Sequence, residues 1–538
     1  MTGSESAEGG RSSSLLIATH HLCSRAHSSL GSMFARLQQS FFQPTHALPV
    51  DVFRIAVGVL SFAYFVHTFL ETAEFSSPGG LIDHDYTMKV FWFTRPNLFQ
   101  LGLSTAAMRV VFLAASLASW ALILGYRVKL FALLLYLTAV SAQRWNFLVM
   151  YVDDSIVHLL MFWMLLLPVG QTLVFSQWLS EQGNPWRRWK HEQEPGAAVR
   201  CFLWNFALIY LVAGLWKWTS PMWRDGSALY AVLKLPIAYT PGFWNAAQLP
   251  ALRLLNYLAL ALEPALPLMI VLPARYRARY GLLIALLAFH LAMLSTLRIP
   301  FANVACMAAP IIVFRDEIAA RLGCGAANSA GNTGKWRLGW SGAFALLFVT
   351  MLTLAILSSV TLPQWRQPTR HDAAANAVFS TRPESVADGT GPVQLALYLP
   401  LWEMGIAQQY QLFNWIDERN YTVSYDVFES TAGTPARNID PGEVFPRSTR
   451  SVLLQCYLLG ITWAQVPVDK QAELRRSLYR RFARRYCSSH GGGDIAVYST
   501  LTRIAPFHQE REQGTRAPMM RFGCESGAAR LSAMNLEP

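Results

Sequence analysis

The sequence predicts an α-helical polytopic membrane protein, with about nine transmembrane helices and a small C-terminal α+β exoplasmic domain. Three observations lead there. Of 538 residues, 53% are hydrophobic and only 14% charged, where a soluble chain carries roughly 25% charged residues; the mean hydropathy is +0.26. Apolar runs of spanning length recur through residues 49–360. The segments between them alternate in charge, as loops on the two sides of a membrane do.

Residues 1–48 are rich in Ser, Gly and His and read as a flexible cytoplasmic tail, ending in a short amphipathic helix near 33–42. The apolar stretch 15–18 is too short for the core of a secretory signal. Nine runs follow, at 52–70, 106–124, 130–150, 155–175, 200–217, 251–272, 281–297, 299–314 and 338–360. The eighth is short and begins at Pro300, so it is either tilted or re-entrant under protein cover. Residues 49–315 thus form one transmembrane domain, 316–337 a cytoplasmic loop and 338–360 the last span.

Charge orients these spans. Arg11, Arg25 and Arg36 precede the first, and Glu71, Glu74, Asp83 and Asp85 outnumber Lys89 and Arg95 after it. Arg127 and Lys129 make the next turn basic, and Asp153-Asp154 make the following one acidic. Arg275, Arg277 and Arg279 then stand together with no acid. Cytoplasmic loops collect Lys and Arg, so the N-terminus is expected in the cytoplasm and, after nine crossings, the C-terminus outside. The same rule accounts for a net charge of +12 without nucleic acid as a partner. The expected partner is the lipid bilayer.

Residues 361–508 read as the exoplasmic α+β domain, the place for a protein or peptide partner. The stretches 422–429 and 494–504 alternate as strands do, 433–442 is rich in turn residues, and 469–486 reads as a basic amphipathic helix. The run 452–463 is apolar but too short to span. Residues 509–538 are expected to be disordered. The seven cysteines form no CxxC pair; Cys456, Cys487 and Cys524 allow one disulfide if this region is exported, which leaves at least one of them free.

An ionisable group inside lipid is costly and is therefore a functional candidate. Lys217 ends the fifth run, one turn after Ala213-Gly214, whose small side chains let another helix approach. It is either a lysine snorkelling to the interface or a buried amine able to act as a base. Asp153 and Asp154 are either a solvated helix start or acids that tune a neighbouring cation. His290 lies in mid-run as an interhelical contact or a catalytic group, and Glu263 precedes Pro264 at an expected kink. Arg144, beside Asn146, needs a partner, for which Asp153 or Glu263 serves. His158 has no spacing relation to a second metal ligand, so no metal is expected, and no nucleotide-binding or hydrolase motif occurs.

Taken in order, several motifs resemble the HTTM (horizontally transferred transmembrane) family, the bacterial relatives of vitamin K-dependent γ-glutamyl carboxylase. They are Asp51-Val-Phe-Arg54-Ile-Ala-Val-Gly58, the loop 80–83, Gly125-Tyr-Arg127, Asn146-Phe-Leu-Val-Met-Tyr-Val-Asp-Asp154, and Tyr210-Leu-Val-Ala-Gly-Leu-Trp-Lys217 with Trp223 and Gly226. The resemblance covers about residues 48–315, and Gln409-Tyr-Gln-Leu-Phe-Asn-Trp415 is similar to the start of the family's exoplasmic domain. It implies a base-initiated reaction on vitamin K hydroquinone or another quinone. Lys217 would be the base, with His290 and Asp153 tuning it and Tyr210, Trp223, Asn146 and Arg144 binding the cofactor. In the carboxylase the oxygenated cofactor removes a γ-proton from glutamate, and carbon dioxide adds to the carbanion. Trp216 stands where the animal enzyme has a second lysine, and no residue matches its upstream histidine. A bacterial inner membrane is the location the resemblance implies.

The alternative is a non-enzymatic membrane protein that binds a lipid or quinone, or scaffolds a partner through its exoplasmic domain. A transporter is a weaker third reading, since no repeat-related pair of interrupted helices occurs. A base needs Lys217, His290 and an acid converging on one buried site, whereas a scaffold leaves Lys217 in headgroup water.

Overall fold

A computed structural model describes residues 41–324 apart from 92, 93, 95 and 181–184, then 339–359, 392–404, 406, 413, 416, 420–431, 435–459, 468–490, 492–504, 514–525 and 527–534. Among the described residues each of the nine apolar runs contains a helix: α1 Ala47–Leu70, α2 Thr105–Leu124, α3 Val128–Trp145, α4 Val152–Leu166, α5 Ala197–Thr219, α6 Leu249–Ala265, α7 Arg277–Thr296, α8 Pro300–Ala308 and α9 Trp340–Ser359. Five of them, α1, α2, α5, α7 and α9, are long and apolar enough to cross a membrane. The exposed side chains Val110, Leu113, Leu117, Trp120 and Leu124 form one stripe along α2, the pattern of a helix facing lipid.

The other four helices are shorter or less apolar than their runs suggested, and each has a local cause. Helix α3 ends in Gln143-Arg144-Trp145 and passes through Asn146 into the turn Phe147–Val149. Helix α4 starts at a capping box between Tyr151 and Asp154 and stops at extended Leu167, just before Pro168. Helix α6 carries Pro264 in its last turn, and a separate turn, Leu268–Val271, follows. Pro310, which has no N–H to continue a helix, divides the eighth run into α8 and the turn Pro310–Val313.

One ion pair on α1 organises the end of the bundle where this helix begins. Arg54, fully buried, pairs with Asp51 at 2.8 Å and donates to the carbonyls of Leu122, Ile123, Thr172 and Leu173. Asp51 in turn accepts from the N–H groups of Gly170, Gln171 and Thr172 at 2.6–3.1 Å. Orphan carbonyls at the end of α2 and amides of the loop after α4 are thus satisfied by one helical turn. Gly125 closes α2 in a left-handed conformation, φ 74°, a position that suits glycine. Thr45–His46 pairs with Gln193–Glu194, so the end of the expected tail joins the fold. Residues 1–40 and 325–338 lie outside the described residues, and with them most of the expected helix near 33–42 and of the loop 316–337.

The C-terminal region is a five-stranded antiparallel sheet with helices against it. Its strands are β1 Tyr421–Ser430, β2 Arg437–Ile439, β3 Gly493–Arg503, β4 Thr515–Glu525 and β5 Ala528–Met534, in the order β2-β1-β3-β4-β5. Helix α10 is Thr449–Leu458 and α11, the expected basic helix, is Val468–Ser489. Leu474, Leu478, Phe482 and Tyr486 recur every four residues on α11 and share a core with Val427, Ile495, Val497 and Phe522 of the sheet. Cys487 and Cys524 form a disulfide that pins α11 to β4, and Cys456 takes no part in a disulfide.

The expected disorder of 509–538 is corrected here, because β4 and β5 lie within it. The strand signal was hidden by Pro518, which sits where the β3–β4 register shifts, one of the few places a sheet accepts proline. The same core takes in Phe75, Leu81, Ile82 and Phe91 from the loop after α1, with Phe147, Leu148 and Val149. The sheet region is therefore packed onto one end of the helical bundle rather than tethered to it.

Candidate functional site

Helices α5 and α6 come together at Gly214. A Cβ added there would stand 2.6 Å from Pro264 Cδ and 2.8 Å from Pro264 N, so only glycine admits this contact. The close approach sets the two charged neighbours of that contact side by side. Lys217 Nζ donates to Glu263 Oε2 at 2.5 Å, and both side chains are nearly fully buried. The Trp223 ring centroid lies 5.4 Å from the same ammonium, and its indole N–H donates to the Phe413 carbonyl at 2.9 Å. Lys217 therefore does not reach for headgroup water. Glu263 is both the counter-charge a buried ammonium needs and an acceptor for its proton.

A second polar group lies two turns back on the same face of α5. The Tyr210 hydroxyl is 2.6 Å from His290 Nε2, and His290 Nδ1 is 2.8 Å from Asn303 Oδ1. Asn303 itself donates through Nδ2 to the Ile299 carbonyl at 2.7 Å. The Tyr210 hydroxyl also meets Cys306. A narrow crevice of about 30 Å³ lies beside them, lined mostly by apolar side chains of α4, α5 and α8, including Leu160, Trp163, Phe206 and Ile209, with Cys306 on its wall.

Asp153 caps a neighbouring helix. Its Oδ1 accepts from the Ala302 amide at 2.7 Å, which fastens α4 to the N-terminus of α8. Asp154 faces a different cluster. It accepts from Tyr64 at 2.7 Å and pairs at 3.1 Å with Arg450 of α10, which also lies 3.3 Å from Glu71. Arg450 is buried, which works against its charge, but Asp154 and Glu71 outweigh this and hold its pKa above the usual arginine range. Burial raises the Glu71 carboxyl pKa, with Arg450 opposing.

Two of the expected cofactor-binding residues lie elsewhere. Arg144 takes neither Asp153 nor Glu263 as partner: it donates to the carbonyls of Pro96 and Glu403 and sits 3.6 Å from the Glu403 carboxylate. Its position at the end of α3 turns it toward the helix Pro392–Glu403 instead of the bundle interior. Asn146 donates to Ser76 at 2.8 Å and meets His84 at 3.3 Å, and the His84 ring stacks on Trp145. Lys217, Glu263, Tyr210, His290 and Trp223 thus gather around α5, while Asn146, Arg144 and Asp154 belong to the junction with the C-terminal region.

Sequence reasoning missed Asn303 and Arg450. Asn303 had a usable signal, since an amide within an apolar run must find a partner. Arg450 had none, being one of many arginines in a water-facing segment. Among the described residues no group of three or more His, Cys, Asp or Glu could hold a metal ion. No family model, curated protein or solved structure matches the chain.

Proposed function

We propose that this chain is a membrane-embedded γ-carboxylase-like protein that begins base-initiated chemistry on a quinone-like cofactor of the vitamin K type, with Lys217 as the base. The observation that carries the reading is the buried Lys217–Glu263 pair. Such a pair is costly to bury, and here the amine stands in direct contact with an acceptor for its proton, as a base that must first shed that proton requires. In the proposed reaction Lys217 takes a proton from the bound ligand after handing its own to Glu263. Trp223 shields the pair from water, and Tyr210 with His290 supplies polar contacts nearby.

The crevice is lined mostly by apolar side chains, as a lipophilic tail requires, and at about 30 Å³ it must widen to admit one. When bound, a reduced quinone supplies the oxidisable group that the chemistry consumes. We read the four shorter helices together with the five long ones as nine crossings, with the N-terminus in the cytoplasm and the C-terminal region outside, in a bacterial inner membrane. The basic loop 273–280 and a disulfide in the C-terminal region both favour this orientation.

The test is incubation of the purified protein with reduced vitamin K, bicarbonate and a Glu-containing peptide, beside Lys217→Ala. Epoxide and labelled peptide from the parent alone would support the reading. Neither product from the parent would remove the carboxylase, and quinone binding without turnover would favour the non-enzymatic alternative.

A further inference from the structure

We infer that Asn303 is a positioning residue: it fixes which nitrogen of His290 carries the proton and so makes Tyr210–His290 a second proton-transfer pair beside Lys217–Glu263. The argument begins with the amide. Asn303 Nδ2 is spent on the Ile299 carbonyl at 2.7 Å, so its Oδ1 is what faces His290. An amide oxygen can only accept, and His290 Nδ1 at 2.8 Å must therefore be the donor. In a neutral imidazole this leaves Nε2 with a lone pair, aimed at the Tyr210 hydroxyl 2.6 Å away. The hydroxyl proton then has His290 Nε2 as its nearest acceptor, with Cys306 as the hydroxyl's other neighbour.

The pair can then move a proton with all atoms accounted for. A hydroxyl of the bound ligand gives its proton to Tyr210 Oη as the original Tyr210 proton passes to His290 Nε2. One ligand O–H bond breaks, one N–H bond forms, and the negative charge stays on the ligand oxygen. The resulting imidazolium keeps its Nδ1–H bond to Asn303, and no oxidant is involved. All four groups concerned, Tyr210, His290, Asn303 and Cys306, lie within the bundle, the first three nearly fully buried.

Asp153 belongs to the same chain of positioning. By holding the Ala302 amide it fixes the first turn of α8, and Asn303 is the next residue. This gives Asp153 a role the sequence did not suggest: it reaches His290 through backbone and amide rather than through its own charge. The inference rests on reading the α5–α8 cluster as the working site, but its test does not depend on turnover.

Full-length protein labelled with ¹⁵N-histidine in micelles reports ring tautomers directly, and subtracting the spectrum of His290→Gln isolates one signal among the 12 histidines. The parent should show Nδ1 protonated and Nε2 bare but hydrogen-bonded. Asn303→Leu should move the Nε2 resonance toward the protonated range, Asn303→Asp should protonate both nitrogens at neutral pH, and Tyr210→Phe should shift Nε2 without changing the tautomer. A protonated Nε2 in the parent, or an unchanged tautomer in Asn303→Leu, would overturn the inference. If Asn303→Leu does not fold, Asn303→Asp decides, and a neutral ring protonated on Nε2 there overturns it equally. An intact tautomer result with no carboxylation would sink the proposed activity and leave the positioning role standing.

Discussion

Gly214→Ala probes the contact on which the candidate site depends. The new methyl would meet Pro264 Cδ at 2.6 Å and Pro264 N at 2.8 Å, where relaxed carbon contacts sit at about 3.5–4.0 Å. Neither atom is the end of a flexible side chain, so α5 and α6 must part by about 1 Å, and overpacking of this kind costs about 1–3 kcal/mol. The same motion stretches the Lys217–Glu263 contact from 2.5 Å. At an effective dielectric constant near ~20, lengthening it by about 1 Å weakens the attraction by about 2 kcal/mol. The expected loss is about 3–5 kcal/mol in all. It can be read by unfolding the purified protein with SDS in mixed micelles and following tryptophan fluorescence. In a Lys217→Met, Glu263→Leu background only the steric part should remain, so the penalty should shrink by roughly 2 kcal/mol. A Gly214→Ala protein within about 0.5 kcal/mol of the parent would mean that the helices do not meet there, and the assignment of Glu263 as the partner of Lys217 would fall.

Arg450→Met should cost about 3–5 kcal/mol, because it strands Asp154 and Glu71 without their buried cation; Arg485→Ala, which breaks a half-exposed pair with Glu74, should cost under about 1 kcal/mol. Proteolysis of the C-terminal region should separate the two variants. Burial holds the His84 pKa near 4, so its stabilising contribution is complete above the unfolded value of 6.5 and is lost as pH falls toward 4. The slope in that window is at most about 1.4 kcal/mol per pH unit, and His84→Gln should flatten it in thermal melts taken from pH 7 to pH 4.5. Replacing Cys487 and Cys524 together by serine opens a loop of 37 residues and should cost about 4 kcal/mol on chain entropy; reductant should lower the parent's melting point and leave the variant unchanged.

What the sequence made legible follows from physics that acts locally. Apolar runs, the small pair Ala213-Gly214 and the basic periodicity of α11 are all written in consecutive residues, and all three appear in the fold. Glu263 was offered as a partner for Arg144, whereas it pairs with Lys217. That choice depended on where α6 crosses α5, which no local pattern encodes. The run 155–175 gave no hint that Leu167 would end α4, because apolarity says how long a helix can be and caps say where it stops. The last two strands were lost for a related reason. Their alternation is broken by Pro518, and only the facing strand β3 shows that the interruption is a change of register.

The core shared by the loop 71–91 and the C-terminal region bears on the order in which the chain can be made. Arg481 donates to the carbonyls of Pro78 and Gly80, partners 403 and 401 residues earlier in the chain. At a synthesis rate of about 5–20 residues per second, that loop waits roughly 20–80 s for the segment that covers it. During that interval Phe75, Leu81 and Phe91 have no partner from the sheet or α11. A ribosome that stalls after α9 would release a bundle in which Phe75, Leu81 and Phe91 lack the cover of the sheet and α11, an apolar landing place for a holding chaperone and a mark of an unfinished chain.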